Sequence, residues 1–275
     1  MNENPYIKAL ESTGCLSEPA IRNAISTLNL ANGSKVLDVP CGTGSHVQWM
    51  LEKYPKVKIT GVDISEVRVE YAKEKLKRAG KSQSCEFIVG DMNKLEFANN
   101  SFDFVWCCDG LWPGPQEMGC PAEEPYDILS DMVRITKPGG KIAILFWSSQ
   151  KILPGYPYLE ANLNATKSAN MPINPETNPE LHFMLAPVWL NKAGLTNIEI
   201  KTFVADIPKP KNEYHKESLL TLFNMFWGRA ETEVSKEVWE KFKNITNPES
   251  DECVLSQKGY TGFLTYTMFI GEVSN

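Results

Sequence analysis

The sequence predicts a doubly wound α/β fold, a mostly parallel sheet of seven strands with helices on both faces. Three observations predict it. Between residues 35 and 147, short apolar runs alternate with polar, helix-periodic stretches, which is the signature of βαβ units. A Gly-x-Gly turn follows directly on the first apolar run. The C-terminal half then supplies two further apolar runs around an aromatic-rich helical stretch.

The elements follow in order. A short helix is expected over residues 5–12. Ser17 is read as the cap of a second helix, opened by Glu18 and Pro19 and ended by Asn32-Gly33. Strands are expected at 35–39, 58–62, 86–89, 102–107 and 141–147, with helices at 44–53, 65–80 and 126–136 between them. Gly80 suits the position after a helix C-terminus. Lys137-Pro138-Gly139-Gly140 should end the 126–136 helix. Residues 148–180, rich in Pro, Asn, Gly and Ser, read as a loop or partial lid. A helix at 179–193 and a strand at 197–205 come next. Two helices at 217–229 and 233–244 form an insertion, about residues 212–246, before a last strand at 262–272. This gives one domain over 1–275: an N-terminal helical cap (1–32), a core (33–147) and a C-terminal half.

Composition narrows the class. The chain has 275 residues, 42% hydrophobic, and a formal charge of -6, which disfavours extended nucleic-acid binding. Its one basic run, Lys73 to Lys81, interleaves with Glu70 and Glu74 and reads as a solvated helix face. Seven cysteines occur without any C-x-x-C pair, so neither a disulfide framework nor a metal site is expected. No secretory leader or membrane-spanning run is visible, and a reduced, cytoplasmic protein is the default. Oligomeric state is not legible.

The chemistry concentrates in Asp38-Val39-Pro40-Cys41-Gly42-Thr43-Gly44. Glycines at 42 and 44 let the backbone approach a ligand, and the helix after them offers free N–H groups to an anion. Many nucleotide-binding folds share this turn. Gly61-Val62-Asp63-Ile64 ends the second strand, Gly90-Asp91-Met92 ends the third, and Ile135 to Gly140 (ITKPGG) precedes the fifth. In this order and spacing, the set resembles the class I S-adenosylmethionine-dependent methyltransferases over about residues 33–147, with their Rossmann-like methyltransferase fold.

The resemblance implies S-adenosyl-L-methionine as cofactor and a role for each matching position. Gly42 and Gly44 would lie against its methionine and ribose parts, and Asp38 would hold the amino end. Asp63 would bind the ribose hydroxyls, with Ile64 on the adenine. Asp91 would accept from the adenine amino group, beside the Met92 backbone. Cys108 would sit near the methionine end. Pro40 stands where the family usually has glycine; it fixes φ and lacks an N–H. The rival NAD-type oxidoreductase needs a third small residue, and Val47 stands there. A non-catalytic S-adenosylmethionine-binding protein is the other alternative.

The acceptor is expected to be a small, partly apolar or aromatic molecule. The Pro-Pro-aromatic and Pro-Cys motifs of nucleic-acid methylating enzymes are missing from the stretch after the fourth strand. Asp109 is the first candidate for a base or orienting group, with a turn-capping role as its alternative. His182 is the second, with a structural histidine as its alternative. Cys107-Cys108 would suggest thiol chemistry, against two small buried hydrophobes. Tyr156, Tyr158, Trp189 and Trp227 are candidates for an apolar enclosure.

Overall fold

A computed structural model describes residues 5–172 and 177–274. They comprise α1 (Pro5–Ser26), β1 (Lys35–Asp38), α2 (Ser45–Lys53), β2 (Lys58–Asp63), α3 (Glu66–Arg78), β3 (Cys85–Val89), β4 (Phe102–Cys108), α4 (Tyr126–Ile135) and β5 (Thr136–Lys151). There follow α5 (Pro157–Asn164), α6 (Lys167–Asn170), α7 (Ala186–Lys192), β6 (Leu195–Pro208), α8 (Glu213–Trp227), α9 (Lys236–Thr246) and β7 (Thr261–Val273).

The seven strands form one sheet in the order β3-β2-β1-β4-β5-β7-β6. The pairs β1–β2, β1–β4, β2–β3 and β4–β5 are parallel. Between β6 and β7 the contacts step in opposite directions. Thr196 meets Glu272, and Thr202 meets Thr267, so β7 runs antiparallel to β6 and the sheet is mixed. The parallel strands are apolar on both faces because helices cover them. Val36, Leu37, Val105, Ile142, Ala143 and Ile144 are all fully buried.

The chain divides into two compact units. One comprises residues 21–147, 177–203 and 266–275; the other comprises 1–20, 148–176 and 204–265. In the first unit, Ile128, Leu129, Met132 and Ile135 of α4 are buried against the sheet core, together with Phe146, Trp189 and Phe269. In the second, α8 buries Leu219, Leu222, Phe223 and Trp227. Phe242 of α9 meets the Trp227 ring edge-on at 5.9 Å.

The structure corrects several expectations. The N-terminal segment is one helix, with Pro19 inside it, rather than two. Ser17 does not cap a new helix. Its hydroxyl donates back to the Gly14 carbonyl at 3.1 Å, the bond a mid-helix serine makes. The division between the two units falls one residue past Pro19. The stretch 148–180 is not a loop. It holds the end of β5, then α5 and α6; residues 173–176 of it lie outside the described residues. Of the predicted 179–193 helix, only 186–192 is α-helical, and two 3-10 turns precede it.

The Lys137-Pro138-Gly139-Gly140 segment belongs to β5 as an irregularity, not to a loop. Phe102 pairs with Thr136, and the next pairing is Phe104 with Lys141. Gly139 takes a φ of 74° there. A Cβ at Gly140 would stand 2.8 Å from the Lys137 carbonyl and 2.9 Å from the Asp103 carbonyl. Neither backbone atom can turn aside. Gly140→Ala is therefore expected to cost about 1–3 kcal/mol of stability through overpacking, read as a lower urea midpoint; an unchanged midpoint would contradict this packing.

Candidate cofactor site

The site is built at the C-terminal tips of parallel strands, where α/β sheets bind ligands. β1 ends on Asp38, β2 on Asp63 and β4 on Cys108. The segment from Pro40 to Gly44 links β1 to α2, and three backbone bonds shape it. Val39 N donates to the Trp106 carbonyl at 3.0 Å, Cys41 N to the Val62 carbonyl at 2.8 Å, and Gly44 N to the Cys41 carbonyl at 2.9 Å. The Val39–Pro40 peptide is cis.

The two glycines do different work. Both need positive φ, 50° at Gly42 and 76° at Gly44. A Cβ at Gly42 would meet nothing within 4 Å, so a ligand can approach this backbone. At Gly44 the same space is filled by Ala72 at 3.0 Å, Leu76 at 3.1 Å and Phe87 at 3.3 Å. Glycine there serves the turn and the packing of α3 and β3, and the expected open space beside Gly44 is not found. The N-terminus of α2, with Gly44 as its cap residue, has no side-chain cap. Its first N–H groups are thus placed to receive an anion.

Asp38 is fully buried, and both its carboxylate oxygens lack a hydrogen-bond partner among the described residues. Burial, and secondarily the negative Asp63 nearby, push its carboxyl well above the usual carboxylate range. An unsatisfied buried carboxyl is costly and calls for an incoming donor. Asp63, 2% exposed, is by contrast well engaged. Oδ2 accepts from Gly42 N at 2.9 Å, while Oδ1 accepts from Ser65 N at 2.9 Å and from Arg68 Nε at 2.9 Å. A carboxylate offers about four acceptor positions. One remains on Oδ2, enough for one hydroxyl rather than the expected two.

Ile64 stands 66% exposed, a flat apolar surface beside that tip. Asp91 is exposed, and its Oδ1 accepts from the backbone and side-chain nitrogens of Asn93, both at 2.9 Å. Both bonds fall on Oδ1. Met92 is buried. Cys108 is buried too, and burial drives its thiol well up, as it does that of Cys107. Neither forms a thiolate readily, so the thiol-chemistry alternative fails and both cysteines pack as small hydrophobes. His46 was not singled out as a site residue. Its Nδ1 receives the Trp106 indole N–H at 3.4 Å, and burial, with Lys75 second, pulls it down to about 4.

Asp109 follows β4 with a φ of 50°. Its Oδ1 accepts from Trp147 N at 2.9 Å, and Tyr266 donates to it as well. The residue is exposed, yet the protein packed around it pushes its carboxyl up to about 6. The adjoining Gly110 is pressed against the Pro40 ring: a Cβ there would overlap Pro40 Cδ and stand 2.8 Å from Cγ. His182 caps a 3-10 turn, its Nδ1 accepting from Met184 N at 3.2 Å while its ring lies 4.6 Å from Phe183. The expected aromatic enclosure is not assembled. Trp189 and Trp227 are fully buried, each with its indole N–H satisfied by Glu180 O or Asn164 Oδ1. Tyr158 is 86% exposed, and Tyr156 receives Lys241 over its ring at 5.4 Å.

Residues 36–140 match the family described as a methyltransferase domain. Over 136 residues, 49% of this chain, the sequence is 34% identical to the demethylmenaquinone methyltransferase of Listeria welshimeri, covering 53% of that protein. Over 120 residues, 44% of this chain, it is 32% identical to cycloartenol-C-24-methyltransferase 1 of rice, covering 32% of it. The chain thus spans about a third to a half of the length of these curated relatives. A solved structure of a candidate methyltransferase from Bacillus halodurans superposes with a TM-score of 0.53 at 17% identity, over 94% of this chain and 100% of that one.

Two variants test the geometry. A carboxyl whose folded pKa lies above its unfolded value stabilises the fold below the unfolded value and loses that contribution as pH rises through the folded one. Asp38 is such a group, so its ionised form burdens the protein at neutral pH. Asp38→Asn is expected to raise the unliganded melting temperature at pH 7 and to flatten the decline in stability above pH 4. A variant that melts earlier at pH 7 would show that Asp38 has an unseen partner. Gly110→Ala should lower the melting temperature by several degrees, since the Pro40 ring cannot yield; equal melting curves would contradict the contact.

Proposed function

We propose that this chain, whose residues 36–140 match a methyltransferase-domain family, is a class I S-adenosylmethionine-dependent methyltransferase that transfers a methyl group to a nucleophilic atom of a small, partly apolar molecule. The observation that carries the reading is Asp38: a buried carboxyl with two unpartnered oxygens, adjoining a turn with open space at Gly42 and an uncapped helix N-terminus. An α-amino acid carries an ammonium and a carboxylate side by side, and this pair of features answers both. A dinucleotide pyrophosphate would set negative charge against an unpaired carboxyl, which disfavours the NAD-type alternative.

The residues fit S-adenosylmethionine throughout. Asp38 receives the ammonium, and the first N–H groups of α2 receive the carboxylate. The remaining Oδ2 position of Asp63 takes one ribose hydroxyl. Ile64 lies under the adenine, Asp91 Oδ2 accepts from its amino group, and the Met92 backbone stands beside it. Cys108 and Pro40 wall the methionine end. When bound, the cofactor supplies an electrophilic sulfonium methyl. What remains for the protein is placement of the acceptor and exclusion of water.

Asp109 is the proposed base. With its carboxyl near 6, it is ionised at pH 7 and matched to take a proton from an acceptor O–H or N–H. Trp147 N–H and Tyr266 fix its direction. His182 has one nitrogen occupied by its cap and ranks second. The relatives named for cycloartenol and demethylmenaquinone support an apolar acceptor. Seven free cysteines and the negative charge support a reduced, cytoplasmic setting; among the described residues no helix is long and apolar enough to cross a membrane.

Calorimetry with S-adenosylmethionine, S-adenosylhomocysteine and NAD tests the cofactor. The first two should bind and NAD should not, and Asp38→Asn should weaken binding by about 10- to 100-fold, the loss of a charged hydrogen-bond partner. NAD binding, or no binding of the other two, would overturn the reading. Methyl transfer from labelled cofactor to a panel of phenols, quinols and sterols tests the reaction; a fully inactive panel against tight cofactor binding would favour the non-catalytic alternative. The turnover rate should fall as pH drops through about 6, and Asp109→Asn should abolish that limb. A limb that survives the substitution would remove Asp109 as base.

A further inference from the structure

The tips of β1 and β2 place two buried carboxylates together: Asp38, without a partner, and Asp63, whose side chain is 1% exposed. Such a pair raises the cost of charge on either member, and Asp63 visibly contributes to the upward push on Asp38. Asp63 nevertheless accepts from several donors. The cation beside it is Arg68, third residue of α3, with Nη2 at 2.7 Å and Nε at 2.9 Å from Oδ1. The arrangement closes on itself. Asp63 Oδ1 takes Ser65 N, Ser65 Oγ caps α3 by accepting from Arg68 N at 3.4 Å, and the Arg68 guanidinium returns to Asp63 Oδ1. Oδ2 is thereby left pointing to another element, the turn after β1, where it holds Gly42 N at 2.9 Å.

We infer that Arg68 is a positioning residue for the cofactor: its guanidinium anchors the buried Asp63 carboxylate and aims it at the Gly42 N–H, and so sets the turn against which S-adenosylmethionine lies. This rests on the cofactor reading above. A helix-capping role alone would involve only Oδ1 and α3. It would not require the second oxygen to reach Gly42, the glycine with open space beside it. An exposed ion pair would contribute little, but one of these partners is sealed from water, and a buried carboxylate stripped of its cation is strongly disfavoured. Without Arg68, Oδ1 loses two of its three donors and the carboxylate loses its fixed direction, which weakens its hold on Gly42.

Arg68→Met, Arg68→Gln and Arg68→Lys would be compared with the wild type by calorimetry with S-adenosylhomocysteine and by hydrogen exchange of the Gly42 amide in the unliganded protein. The neutral variants should bind at least about tenfold more weakly and should exchange Gly42 faster, while the Cys41 amide, held by Val62 O, keeps its protection. Arg68→Lys should restore affinity to within about threefold, since it returns a cation but not the forked geometry. If Arg68→Met does not fold, the glutamine and lysine variants make the same comparison. A wild type that ignores S-adenosylhomocysteine overturns the cofactor reading and this assignment with it. A wild type that binds, beside neutral variants of equal affinity and equally protected Gly42, overturns the assignment of Arg68 alone.

Discussion

The site depends on the burial of carboxylates at neighbouring strand tips. Parallel strands end with their side chains inside the protein, so a charge placed there has to be met from within or by a ligand. Asp63 is met from within by two backbone N–H groups and a guanidinium. Asp38 is met by nothing among the described residues. This contrast separates the part of the motif that builds the turn from the part that waits for a cofactor. It also places a local instability at the proposed binding position, in keeping with the general opposition between stability and function.

Much of the fold was legible because periodicity and punctuation agree between residues 33 and 147. Apart from β5, which begins five residues before and ends four residues after its expected limits, strands and helices there fall within a residue or two of expectation, and Ser65 and Gly80 bracket α3 as their chemistry requires. The misreadings share a cause. At Ser17-Glu18-Pro19 a local breaker signal was taken at face value, and a helix continues through it. Lys137-Pro138-Gly139-Gly140 follows the end of α4 at Ile135 as expected, but a strand absorbs it as an irregular pairing. The Pro- and Asn-rich stretch after β5 misled in the same way, since α5 and α6 form there.

The site was legible in its residue types and less so in their roles. The positions of Asp38, Gly42, Ile64 and Asp91 suit the parts implied by the family resemblance. Gly44 and Asp63 illustrate what spacing cannot convey. One glycine is small because α3 and β3 crowd it, and one carboxylate has most of its lone pairs engaged by its own chain. Arg68 carried no signal in the sequence beyond lying in the first turn of a helix. Its meaning comes from a guanidinium folding back on Asp63, the last residue of the strand before the helix. The aromatic residues of the C-terminal half were read as pocket walls, but two tryptophans had better partners inside.

The contact between Pro40 and Gly110 reaches beyond the site's geometry. A proline ring in the first turn fills the volume that any side chain at 110 would need. The two positions therefore cannot vary independently: a bulkier residue at 110 demands a smaller one at 40, and glycine at 40 releases 110 from its restriction. Through that interlock the turn on the cofactor side and the Asp109 turn that would face the acceptor constrain each other's sequence. In this chain, a substitution in one turn is limited by the residue present in the other.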